Sequence, residues 1–411
     1  MSDAVQTPRK SHMPFVFVLV TLTLDAMGIG LILPVMPDLI REVTGGALGQ
    51  AAIWGGVLTT SFAIMQFLCG PLVGSLSDRF GRRPVLLTSL VVMAADYVVM
   101  ALAGSIWLLL AGRIVGGITS ATQSTAMAFI ADVSEAKDKS KNFGLVGAAF
   151  GIGFVVGPML GGLLAGYGTR APFWAAAALA SANFAFGFLV MPETVTDRIR
   201  RRFELRRANP FGAFAALRRL PGLTRYLTLF FLYEFAFIVY PATWAYFTQE
   251  RFGWSPGMVG VSLASFGIAL AIVQGGLIRL ILPRFGEANT VLYGFCFNAL
   301  AFLCLGLVTS PTLALVLTPM TALGAVVTPA LQGMMSRAAA DNQQGELQGL
   351  IASFRAVAYI TAPLVMTQIF GLFTLPGGPA YQPGAVFFLS MGLMGVCLAV
   401  FLSSRPRTIA A

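Results

Sequence analysis

A chain of 411 residues that is 57% hydrophobic and only 11% charged, with a mean hydropathy of +0.80, lies outside the composition of soluble domains. Its formal charge of +10 sits mostly in short loops between apolar runs, a membrane-topology signal rather than a nucleic-acid-binding surface. Cys69, Cys296, Cys304 and Cys397 fall in or beside apolar runs without metal-ligand spacing, so no redox centre, disulfide set or metal site is expected.

A helix crossing about 30 Å of hydrocarbon needs roughly 20 mostly apolar residues. In chain order the predicted spans are 14–36, 53–74, 85–104, 107–130, 143–166, 172–192, 224–246, 258–280, 289–309, 312–334, 348–371 and 384–403. These runs are too long, continuous and rich in Gly and Ala for the alternating strands of a membrane barrel. The first lacks a small-residue cleavage site and exceeds a signal-peptide core, so it is expected to remain as a span.

Lys and Arg concentrate in a few of the short connections and at the chain ends. Arg9 and Lys10 precede the first span, Arg79, Arg82 and Arg83 follow the second, and Lys137, Lys139 and Lys141 follow the fourth. Arg198, Arg200, Arg201, Arg202, Arg206, Arg207, Arg218 and Arg219 lie between the sixth and seventh, and Arg405 and Arg407 near the end. Basic loops stay on the cytoplasmic side, so both termini are expected inside a cell inner (plasma) membrane.

A constant offset of 205 residues aligns Gly55 with Gly260, Arg79 with Arg284, Phe80-Gly81 with Phe285-Gly286, Gly144 with Gly349 and Pro158 with Pro363. Such a shared shift marks an internal repeat. The expected fold is an all-α membrane protein of twelve transmembrane helices in two pseudo-symmetric halves, 1–192 and 223–411, joined by a cytoplasmic linker, 193–222. Repeats of this kind form a midplane substrate site at their interface and expose it alternately by rocking.

Asp25 stands alone in the apolar stretch "LVTLTLDAMGIGLILPVMPDLI". A central charge costs a lone membrane helix roughly 2.5 to 3.5 kcal/mol on insertion scales, so Asp25 needs a partner, a water-filled cavity or a proton. Asp96, Arg113, Glu234 and Arg355 are candidates to share that interior, with Gln66, Gln123, Asn183, Gln274 and Asn298 as neutral hydrogen-bonding groups. Arg113 stays protonated and can stabilise an ionised carboxylate, so Asp25, Arg113, Glu234 and Asp96 form the expected proton-coupling set. Tyr233, Phe237 and Trp244, from an aromatic-rich seventh span, are candidate contacts for a planar substrate alongside Gln66, Gln123 and Asn298.

The loop "GSLSDRFGRRPVLL", Gly74 to Leu87, resembles the signature loop of the major facilitator superfamily. Asp78 can face a neighbouring helix N-terminus; the resemblance implies that Arg82 bridges it to Asp132 as a conformational latch. "GAAFGIGFVVGPMLGG", Gly147 to Gly162, resembles the packing motif of the drug/proton antiporters, with Gly147, Gly151, Gly157, Pro158 and Gly161 leaving one helix surface bare. "LDAMGIGLILPVMP", "SDRFGRRPVLL", "GRIVGGITSAT", "RFGW", "PALQG" and "LQGL" are similar to the tetracycline efflux antiporters over most of the chain.

That resemblance implies a monomeric secondary transporter, not an enzyme, exporting an amphipathic drug in exchange for protons. The drug would be tetracycline-like and carried as a divalent-cation chelate. No cofactor is expected beyond the proton gradient, and the partners are substrate, protons and lipid bilayer. Two positions depart from the family pattern: Leu270 stands where many of these antiporters have a histidine, and Asn298 where they have an aspartate. The single histidine, His12, lies in the N-terminal tail, so no histidine relay can run inside the membrane. The alternative is a proton-coupled multidrug or metabolite transporter with another substrate. No P-loop and no H-E-x-x-H motif is present to support ATP-driven transport or metal hydrolysis within the chain.

Overall fold

Within a bilayer every backbone polar group must be satisfied internally, and this chain does so almost entirely with helices. The computed structural model describes residues 13–120, 122–134, 139–195 and 209–403. Arg9, Lys10, His12, Lys137, the linker arginines 198–207, Arg405 and Arg407 lie outside the described residues. So do the side chains of Gln123, Lys139, Lys141 and Arg218.

The first half begins with α1 (Met13–Ile32), which bends at Pro34 into the short α2 (Met36–Thr44). It continues with α3 (Leu48–Phe80), α4 (Arg82–Leu102), α5 (Ile106–Thr119), α6 (Thr122–Val133), α7 (Lys139–Leu164) and α8 (Ala171–Val190). The second comprises α9 (Thr224–Phe237), α10 (Val239–Phe252), α11 (Pro256–Ile272), α12 (Ile278–Leu307), α13 (Pro311–Thr321), α14 (Val327–Ala338), α15 (Gln344–Leu372) and α16 (Ala385–Leu402).

Among the described residues these helices make twelve crossings, although several predicted spans are divided. The expected span 107–130 breaks between α5 and α6 near Ser120, and the seventh breaks between α9 and α10. Pro241 has no N–H to give the Phe237 carbonyl, which explains the second break. The eighth and ninth crossings run together as one apolar stretch, Pro256–Leu307, turning at Gly286, where φ is +71°. A wide turn at Val273–Leu277 joins α11 to α12. Serine caps start several crossings: Ser105, Ser255 and Ser310 accept from the backbone N–H three residues on, the last two followed by proline.

Two seams join the halves; their prolines, Pro158 and Pro363, stand 205 residues apart, while the glycines they meet, Gly260 and Gly56, miss that offset by one residue. On α7, Pro158 lies against Gly260 of α11, where a Cβ would come within 2.3 Å of the Pro158 carbonyl oxygen. On α15, Pro363 lies against Gly56 of α3, with Thr367 beside it. Both seams concentrate at the end of the bundle away from the termini. There Gly162 meets Pro256 and Gly257, Gly49 meets Thr374, and the Gln249 amide donates to Asp38 at 3.3 Å and to the Pro34 carbonyl at 3.5 Å.

The glycines of α7 correct the expectation of a single bare surface. Gly157 and Gly161, with Gly153, press on the α1 backbone: a Cβ at Gly161 would lie 2.1 Å from the Leu31 carbonyl oxygen. Gly147 and Gly151 face open space instead. Six residues separate Gly151 from Gly157, which places them about 120° apart around the helix. One stripe therefore anchors α7 within its own half, and the other points toward the opposite half.

Candidate functional site: a central cavity open at one end

Between the halves lies a cavity of about 2050 Å³. Its walls come from α1, α3, α4, α5 and α7 on one side and α9 to α12, α14 and α15 on the other. At the end away from the termini the two seams seal it. Toward the end bearing the termini, Gly144, Gly147, Gly151 and Gly275 line it with nothing packed on their faces, and Asn209 and Pro210 reach its rim.

Asp25, Gln66, Asp96, Arg113, Tyr233, Glu234, Phe237 and Trp244 all line this cavity. Asp25 is half-buried, and among the described residues no hydrogen bond or ion pair reaches it. No fixed partner holds it, so this carboxyl is open to a proton or to a cationic group entering the cavity. Arg113 is paired with Asp96 instead, across α4 and α5. The absence of side chains at Gly112 and Gly116 makes room for that carboxylate, since a Cβ at either would approach an Asp96 oxygen at 2.7 or 2.9 Å. The Arg113 guanidinium lies 4.9 Å from the centre of the Phe62 ring.

The second half carries a different pair. Arg355 on α15 reaches Glu234 on α9 through Nε and Nη2, both at 3.3 Å, and the Thr328 hydroxyl also donates to Glu234 at 3.3 Å. Beside it runs an aromatic wall: Tyr233 stacks on Phe237 at 5.6 Å between centroids, Phe237 meets Tyr240 edge-on, and Tyr240 stacks on Phe266 at 5.5 Å. Trp244 donates its indole N–H to Ser262 at 2.9 Å. Leu270, Gln274 and Tyr359 complete this side.

Asn298 is not part of the cavity wall. It is fully buried and donates to the Gly294 and Gly324 carbonyls at 2.7 and 2.9 Å, tying α12 to the tight turn between α13 and α14. A neutral amide there satisfies backbone carbonyls that no water reaches. Arg355, Thr328, Tyr240 and Phe266 were absent from the expected substrate and coupling sets. Arg355 was visible as an intramembrane charge, whereas Thr328 and Phe266 are ordinary in any apolar span.

At the end bearing the termini, Arg82 contacts Asp78 at 2.5 Å and Asp132 at 3.2 Å. Asp78 pairs with Arg82, and among the described residues it accepts no hydrogen bond from a helix N-terminus, contrary to the expectation of a cap. Glu193 accepts from the backbone N–H groups of Arg82 and Arg83 at 2.9 and 3.2 Å, holding the start of α4. Gly81, at φ +113°, permits this, because a Cβ would fall 2.1 Å from the Glu193 carboxylate. At the same 205-residue offset from Arg82 and Asp132 stand Glu287 and Arg337, which also form an ion pair but with reversed polarity.

Twelve crossings in two repeats around a cavity sealed at one end define a secondary transporter rather than an enzyme. The chain belongs to the Major Facilitator Superfamily, which residues 18–363 match. It is 41% identical to the class C tetracycline resistance protein of Escherichia coli, over 92% of this chain and 96% of that protein. It is 37% identical to the class G protein of Vibrio anguillarum, over 86% and 90%. The crystal structure of the human organic anion transporter MFSD10 superposes with a TM-score of 0.68 at 27% identity, covering 96% of this chain and all of that one. These relationships make the chain a drug-efflux transporter of the superfamily, and proton coupling follows from the family.

Proposed function

We propose that this protein exports a tetracycline-like drug by alternating access, driven by inward proton movement. The observation that carries the reading is the cavity, open at one end, whose lining combines Asp25, without a hydrogen-bond partner among the described residues, and a wall of stacked aromatic rings. Basic loops at the end bearing the termini support a cytoplasmic position for that end in an inner membrane, so the described state is inward-facing. Drug enters from the cytoplasm and rests its planar rings on Tyr233, Phe237, Tyr240 and Phe266. A cationic group, as in a divalent-cation chelate of the drug, displaces the proton on Asp25, so proton and cargo compete for one carboxylate. When the halves rock about the Pro158 and Pro363 seams, the cavity opens outward and the drug leaves as a proton returns. Asp78, Arg82 and Asp132 act as the latch that holds the cytoplasmic end shut in that state. One monomer, comprising the halves 1–192 and 223–411 and the linker 193–222, suffices for the cycle.

The family histidine is replaced by Leu270, which lines the cavity, and this favours coupling through Asp25 and Glu234 over a relay. It also favours the second reading, a broader range of amphipathic drugs. Inverted membrane vesicles given a pH gradient, acid inside, test the proposal. Accumulation of tetracycline that collapses with a proton ionophore is expected, and no accumulation by correctly inserted protein would overturn the tetracycline reading.

A further inference from the structure

The two cavity-lining arginines that carry ion pairs, Arg113 in the first half and Arg355 in the second, are held differently. Arg113 has a side chain 14% exposed, against an Asp96 carboxylate 5% exposed and enclosed by Gly112 and Gly116. Arg355 has a side chain 41% exposed, and its contacts with Glu234 are long for a charge-assisted pair, which normally closes to about 2.7–2.9 Å. Glu234 is shared with the Thr328 hydroxyl, so it has a second donor when the guanidinium turns away. The central carbon of the Arg355 guanidinium lies over the Phe230 ring, 5.3 Å from its centre, which supports the cation from one side. Tyr359, one turn further along α15, lines the same wall.

We propose that Arg355 is the anion-docking residue of the cavity, where a carboxylate or enolate on an amphipathic planar cargo takes the place of Glu234. The inference rests on the export reading and deepens it: the cargo is zwitterionic, with its acidic group on Arg355, its rings on the aromatic wall and its cationic end toward Asp25. A guanidinium fork matches a carboxylate in two parallel hydrogen bonds, so removing the acid from the cargo leaves Arg355 with the weaker Glu234 contacts. Each half then contributes one charged contact to a single molecule, and binding couples the halves across the site where they rock.

Two xanthene dyes test this, rhodamine 110, which carries a free carboxylate, and rhodamine 123, its methyl ester. Fluorescence anisotropy with the purified full-length protein in lipid nanodiscs gives their affinities. Rhodamine 110 is expected to bind about tenfold more tightly, Arg355→Gln to equalise the two dyes, and Arg355→Lys to keep a smaller preference. Glu234→Gln frees the guanidinium and is expected to tighten rhodamine 110, which provides a gain of binding that a misfolded variant cannot mimic. Equal or absent binding of the two dyes by the wild type, or a preference that survives Arg355→Gln, would overturn the anion site. Gradient-driven export is read separately in vesicles. Export without the carboxylate preference would overturn the docking site alone, and the preference without export of either dye or of tetracycline would overturn the export reading alone.

Discussion

The two halves share a backbone plan and divide the chemistry. Each sends a proline from its fifth crossing onto a glycine of the other half's second, Pro158 on Gly260 and Pro363 on Gly56. Each also ties its third crossing to its fourth with an ion pair at the end bearing the termini. That pair is Arg82–Asp132 in the first half and Glu287–Arg337, with the signs exchanged, in the second. In the cavity the likeness ends: the first half offers a lone Asp25 and an enclosed Asp96–Arg113 pair, the second a looser Glu234–Arg355 pair and the aromatic wall. Backbone contacts where helices of the two halves meet closely tolerate little change, so they repeat. The charges that meet a small molecule need not be alike, and they have diverged.

The backbone side of this comparison breaks at the glycine stripe of α7 that packs against α1. Gly161→Val drives a side chain into the Leu31 carbonyl and should cost about 1–3 kcal/mol or more, seen as loss of folded protein in the membrane. Gly151→Val, on the open stripe, should leave thermal stability within about 0.5 kcal/mol of wild type.

Next come the cavity pairs. Asp96→Asn strands a largely buried Arg113 and should destabilise by about 3–5 kcal/mol, whereas Glu234→Gln leaves a half-exposed Arg355 and should cost about 1 kcal/mol or less. Equal losses in denaturation assays would contradict the distinction between an enclosed and a loose pair.

Charge exchange at the basic end should matter less and asymmetrically. Glu287→Arg with Arg337→Glu should restore transport lost in either single variant. The matching swap of Arg82 and Asp132 should restore it only in part, because Asp78 then faces a like charge and the equivalent position in the second half is Pro283. Vesicle transport rates of the four single and two double variants measure this.

The smallest effect concerns pH at the sealed end. Asp38, on α2 beyond the first crossing, has its pKa raised by burial, partly offset by Arg41 and the Gln249 amide. A raised pKa means that the sealed arrangement binds the proton more tightly than an open one. Acid on that side should therefore favour the sealed arrangement, and the gain should fade as pH rises above the ordinary aspartate range. Tyr246, packed nearby, stays neutral throughout this range. Distance measurements between labels on α2 and α10 should show this dependence and lose it in Asp38→Asn.

Much of the architecture was legible because hydrocarbon thickness fixes span length and because the 205-residue repeat recurs in separate loops. Asp25, Asp96, Arg113 and Glu234 stood out since charges in apolar runs are rare. What stayed hidden depended on rotation about helix axes. Gly151 and Gly157 read as one surface until six residues of helical turn separated them, and Asn298 looked available to substrate although it faces backbone carbonyls. Which arginine pairs with which carboxylate could not be read from spacing, because Arg113 and Asp96 meet through the missing side chains of two glycines.

The central claim, that Asp25 carries the proton exchanged for drug, is tested most directly by Asp25→Asn in two assays on the same vesicles. The account predicts that labelled tetracycline still exchanges across the membrane without a gradient, while gradient-driven accumulation is lost. Accumulation at the wild-type level in Asp25→Asn would contradict it and move coupling to another carboxylate.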